Sequence, residues 1–132
     1  MEDAFELDLA ADSAAYSNSV ATARTFSREA DGGTYGQFIP GVTQNDAVGL
    51  GERSLHVLQL EDSIQFRSNL GLFEVSGAPA KVEVTAHTPD DKFHPVFTID
   101  LGAHGFIQLP RVLSSMGLPS GYNGRVSVKV VE

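Results

Sequence analysis

The chain has no cysteine and no tryptophan. The first absence excludes a disulfide framework and any thiolate zinc site. The second removes the best stacking surface for a sugar ring and leaves three tyrosines and eight phenylalanines as the aromatic stock. Basic charge is also scarce. Nine Lys and Arg stand against 17 Asp and Glu, a formal net charge of −8. Binding to a phosphate backbone depends on cations that release counterions, so this balance argues against nucleic acid and against anionic membrane surfaces as partners. No apolar run reaches the roughly 18 to 20 residues needed to cross a bilayer as a helix, so no membrane insertion is expected. Met1-Glu2-Asp3 opens on acid, and no apolar signal stretch follows. If the protein is exported, this chain is expected to be a mature or excised segment carrying an added Met.

What the chain does have is 132 residues, enough for one domain with its own core. Its patterning is almost all of period two. Phe5, Leu7 and Leu9 alternate with Glu6 and Asp8. Residues 19–26 and 34–39 read as a hairpin around the Asp31-Gly32-Gly33 turn. Residues 42–53 form the longest loop, with room for one helical turn. The segment 54–60 (S-L-H-V-L-Q-L) is apolar on both faces, which predicts a central strand.

Residues 64–75 (I-Q-F-R-S-N-L-G-L-F-E-V) and 80–88, joined by Ser76-Gly77-Ala78-Pro79, predict a core hairpin. Phe66, Ser68, Leu70 and Leu72 share one face there, and Gly71 marks a bulge or a close backbone approach. Residues 93–101 make a strand whose Pro95 places it at an edge or bulge. Residues 106–109 and 125–131 make two more, separated by a loop at 118–124. The one helix expected spans 110–116, with Pro110 first and Gly117 as its stop. Short turns without crossover helices argue for antiparallel pairing. The expectation is an all-β fold of eight or nine strands in an antiparallel two-sheet sandwich, with a jelly roll or barrel as the alternatives.

Several short runs occur in a set order: A-R-T-F before G-T-Y-G-Q-F-I-P-G at 33–41, F-R-S-N-L-G-L at 66–72, S-G-A-P-A-K-V-E-V after it, and G-F-I-Q-L-P-R-V-L at 105–113. In this order they resemble the Ig-like β-sandwich modules of large secreted or cell-surface bacterial proteins. The likeness covers roughly residues 23–113. It implies an Ig-like sandwich, export, an extracellular or cell-surface location and a modular, adhesion-type context. It implies no reaction.

No sequence motif points to catalysis. There is no G-x-S-x-G, and the four histidines form no H-x-H or H-E-x-x-H pattern. The chain is therefore expected to be non-catalytic, without a resident cofactor. Ligand binding has a few candidates. Tyr16 and Tyr122 lie in loops and suit a glycan. Arg67 and Asn69 are polar positions on an inner strand that need partners, and architectural use is the simpler reading. For calcium the candidates are Asp90 and Asp91, although no D-x-[DN]-x-[DN]-G loop is present and turn chemistry accounts for the pair. His87 and His94 can face each other across the Pro89-Asp90 turn but are expected to be solvated edge histidines. The partners expected are other protein domains, copies of the chain joined through the terminal strands 4–9 or 125–131, or a glycan.

Overall fold

The computed structural model describes residues 22–28, 34–119 and 122–132. They fall into two compact units divided between Asp46 and Ala47. In the first, β1 (Thr22–Arg28) and β2 (Thr34–Pro40) pair antiparallel from Thr22↔Pro40 to Arg28↔Thr34, the hairpin that the glycine turn predicts. A single 3₁₀ turn follows at Gln44–Asp46. The Asp46 carboxylate closes it by accepting from the Thr43 N–H at 2.8 Å and the Thr43 hydroxyl at 2.9 Å.

The second unit holds six strands in two sheets and one short helix: β3 (Leu55–Asp62), β4 (Leu70–Phe73), β5 (Ala80–His87), β6 (Val96–Leu101), β7 (Phe106–Leu109), α1 (Val112–Ser115) and β8 (Tyr122–Val130). The larger sheet runs β3-β8-β5-β6 and the smaller pairs β4 with β7, all antiparallel. The protein is all-β. No helix among the described residues is long and apolar enough to cross a membrane.

The core follows from alternation. In β5, Val82, Val84 and Ala86 are buried, while Lys81, Glu83, Thr85 and His87 on the other face are half-buried. Val126 and Val128 of β8 and Ile99 and Leu101 of β6 extend the buried face. Leu70 from β4 and Val112, Leu113, Met116 and Leu118 in and after α1 close over it, with Leu72 and Leu109 packed alongside. Each such valine or leucine contributes about 1.5–3 kcal/mol on burial. On the outer face Glu83 lies opposite Lys129 and Thr85 opposite Ser127, pairs that favour this register.

Four expectations are corrected. The hairpin of 64–75 with 80–88 does not form: β4 begins only at Leu70 and pairs with β7, so the Ser76–Pro79 turn passes from one sheet to the other. Ile64 and Phe66 lie exposed in the loop before β4. Second, β3 is an edge strand. Its pairing with β8 slips between Val57 and Leu60, where Gln59 adopts φ 58°. The bulge switches the parity of the side chains. Val57 stands on the side of Val126, and after the slip Leu60 packs against the core instead. Apolar residues at both parities came from that switch, not from cover on both faces.

Third, Gly71 is not bulged, since the β4–β7 register runs unbroken. It is a close approach, where an added Cβ would stand 3.1 Å from the Phe106 ring. Fourth, β8 starts at Tyr122 and lies between β3 and β5, so it offers no free edge to a neighbouring copy. The other terminal strand, 4–9, lies outside the described residues. Pro95 does precede an edge strand, β6.

Candidate functional site

Two places gather the polar side chains of the second unit. The first is where the loop after β3 meets α1. Arg111, the residue before α1, sits at φ 46° and supplies no side-chain cap. The cap comes from 52 residues upstream: Asp62, 1% exposed at the end of β3, accepts from the Ser114 N–H at 3.0 Å and from the Ser68 N–H at 2.8 Å. The Ser68 hydroxyl bonds both the N–H and the carbonyl of Glu61 at 3.0 Å, and its carbonyl accepts from the Val112 N–H at 2.8 Å. Asn69 Oδ1 accepts from the Arg111 N–H at 3.1 Å. The F-R-S-N segment is thus a splice between β3, β4 and α1. At its other end α1 stops as expected at Gly117 (φ 91°), where Leu118 N–H reaches the Leu113 carbonyl and Gly117 N–H the Ser114 carbonyl.

A similar closure holds the loop after β4. The Glu74 carboxylate, 7% exposed, accepts from the Ser76 hydroxyl, the His104 N–H and the N–H groups of Ser76 and Gly77. These bonds, the Ser76 hydroxyl and the His104 N–H foremost, outweigh burial and hold its carboxyl at about 2, below the ordinary 4.5.

The second place is the loop from β5 to β6. Pro89 takes the second position of a turn closed by Asp91 N–H to the Thr88 carbonyl at 3.0 Å. Asp90 is spent inside that turn, accepting from the Thr88 hydroxyl at 2.7 Å and the Lys92 N–H at 3.3 Å. This hydroxyl bond, foremost, lowers its pKa. Asp91, at φ 55°, turns the other way. Its Oδ1 lies 3.7 Å from His87 Nδ1, 3.7 Å from His94 Nε2 and 3.9 Å from an Arg125 Nη2. The two imidazoles meet edge to face with centroids 5.1 Å apart and their Nδ1 atoms 3.1 Å apart. His87 Nε2 is 3.0 Å from the Ser127 hydroxyl, and His94 Nε2 is 2.8 Å from the Asp91 carbonyl. Beside them opens a cleft of about 490 Å³ lined by His87, Pro89, Asp91, Asn123 and Arg125.

Set against known proteins, the chain matches no family model, no curated sequence and no solved structure. The site therefore stands on its own geometry.

That geometry sorts the residues expected from the sequence. Asn69 is used architecturally and Arg67 is exposed in the loop before it. Tyr16 and the Tyr122 side chain lie outside the described residues. Asp90 and Asp91 are separated by function: Asp90 ties the turn, and Asp91 joins His87 and His94, with a potential ligand atom from each of the three within 4.8 Å of the others. The facing of the two histidines was legible in their spacing around Pro89-Asp90. Asp91 as the third member was not, because it depends on a left-handed backbone at a non-glycine residue. Asp62 and Glu74 were missed altogether. A carboxylate bonded by distant N–H groups leaves no spacing pattern.

Proposed function

We propose that the chain is a non-catalytic structural module of adhesion type, an Ig-like β-sandwich carried in an exported bacterial protein. Its partners are then neighbouring domains or further copies of itself. The observation that carries this reading is the use of the F-R-S-N-L-G-L run. The backbone and side chains of Ser68 and Asn69 splice β3, β4 and α1 together, and Leu70 enters the core. Segments kept for such a splice are what a modular scaffold needs. The ordered company of this run, from G-T-Y-G-Q-F-I-P-G to G-F-I-Q-L-P-R-V-L, supports the same reading. Among the described residues the open edges of the larger sheet are β3 and β6, so self-assembly by strand addition would use those and not β8.

The test is a glycan array together with melting curves in the presence and absence of Ca²⁺. Flat results on both are expected. Reproducible binding of one glycan class, or a Ca²⁺-dependent rise in Tm, would replace the scaffold reading with a ligand-binding one. Light scattering over a concentration series tests assembly; a strict monomer removes self-association and leaves a module that contacts other domains.

A further inference from the structure

We propose that His87, Asp91 and His94 form a binding site for a divalent transition-metal ion of the Zn²⁺ kind. The donor set is two imidazole nitrogens and one carboxylate oxygen, a combination that suits Zn²⁺, Ni²⁺ or Co²⁺ and not the all-oxygen shell that Ca²⁺ takes.

Three observations carry it. The first is the direction of the rings. His94 Nε2 sits 2.8 Å from the Asp91 carbonyl, which can only accept, so that nitrogen bears the hydrogen and Nδ1 keeps a lone pair. His87 Nε2 has the Ser127 hydroxyl at 3.0 Å. Each imidazole therefore has an outer partner at Nε2 and presents Nδ1 inward, the arrangement that orients metal-bound histidines.

The second is spacing. A tetrahedral ion with bonds of about 2.0–2.1 Å sets its ligand atoms about 3.3–3.4 Å apart. The two Nδ1 atoms are 3.1 Å apart, and Asp91 Oδ1 is 3.7 Å from His87 Nδ1. Movements of a few tenths of an ångström bring both spacings to the tetrahedral value. Two lone pairs aimed at each other at 3.1 Å repel unless a proton or a cation lies between them. With Ser127 donating to His87 Nε2 the bridge is a proton; with Ser127 accepting, both Nδ1 atoms are free for a metal.

The third is protonation state. Burial first, then the Arg125 guanidinium and His94, push the His87 imidazole below its ordinary value, against the opposing pull of Asp91. It is therefore neutral at pH 7, the form that binds metal. The open cleft beside the group leaves room for water or a partner's side chain as a fourth ligand. Arg125, 3.9 Å from Asp91 Oδ1, is the group an incoming cation must displace from the carboxylate. Bound there, an ion would clip the β5–β6 loop to the end of β5.

The experiment uses the tag-free full chain, stripped with chelator, titrated with Zn²⁺, Ni²⁺ and Co²⁺ by calorimetry and by melting. A 1:1 complex is expected, with a Tm rise of about 3 °C or more in excess metal that chelator reverses. His94→Ala and Asp91→Asn alter exposed side chains, so both should fold, and each should weaken binding at least about tenfold. His56→Gln, on the outer face of β3, should bind as the unaltered chain does. No 1:1 complex at about 100 µM metal, or a complex that survives both loop variants, overturns the proposal. The first outcome assigns the Nδ1 contact to a shared proton.

Discussion

Asp62 and Glu74 sit in loops that close on them; Asp91 sits in a loop that does not. The first two carboxylates are almost fully buried and take all their contacts from N–H and O–H groups that point at them. Asp91 is 69% exposed in its side chain, and its charged neighbours stand off at 3.7 to 3.9 Å. The difference separates two uses of a carboxylate. A saturated one fixes backbone and has no capacity left for a ligand. An unsaturated one, held beside two oriented imidazoles, costs the fold little and keeps its lone pairs available. The β5–β6 loop can thus vary without disturbing the splice at α1.

The largest effect should come from Asp62. Asp62→Ala strands the N–H groups of Ser68 and Ser114 in a buried place. At about 1–3 kcal/mol for each unsatisfied group, softened where water enters, the loss should be about 2–4 kcal/mol in urea unfolding. Asp62→Asn keeps one acceptor oxygen and should lose about half as much. A change below about 0.5 kcal/mol for Asp62→Ala would dissolve the comparison, since a buried carboxylate would then matter no more than an exposed one.

The intermediate effect is pH-dependent and belongs to Glu74. Its folded pKa of about 2 lies below the ordinary 4.5, so the folded state holds fewer protons between these values. The carboxylate's contribution is fully present above about 4.5 and is lost as pH falls through about 2. Glu74→Gln should melt below the unaltered chain at pH 7. The gap should narrow from about pH 4.5 downward and close near pH 2. A gap constant across that range would mean that packing, not charge, holds the Glu74 loop.

These groups also show how far the sequence could be read. Strict alternation such as V-E-V-T-A in β5 and V-S-V-K-V in β8 gives strand, face and core at once, because one side chain in two meets the other layer. The helix stop at Gly117 is equally local. What escaped is non-local. The parity of β3 depends on Gln59 taking a left-handed conformation, and the partner of β4 depends on Glu74 collecting donors from the His104 turn. Asp62 caps a helix 50 residues away. Of the metal-site candidates, the two histidines could be paired from spacing, but only the positive φ of Asp91 selects it over Asp90.

The smallest effect should be that of Asp91→Asn without metal. Asparagine tolerates the left-handed backbone at least as well as aspartate, so no strain is added at φ 55°. The ion pairs lost are solvent-exposed and long, and such pairs contribute about 0–1 kcal/mol. The net change in unfolding free energy should be within about 0.5 kcal/mol of zero. A metal-free loss above about 2 kcal/mol would show that Asp91 braces the loop as Asp62 braces α1, and the division between closed and open carboxylates would fail. A near-zero value sharpens it. Any stability that Asp91 confers in the presence of Zn²⁺ must then come from the ion, because the loop holds its shape without the charge.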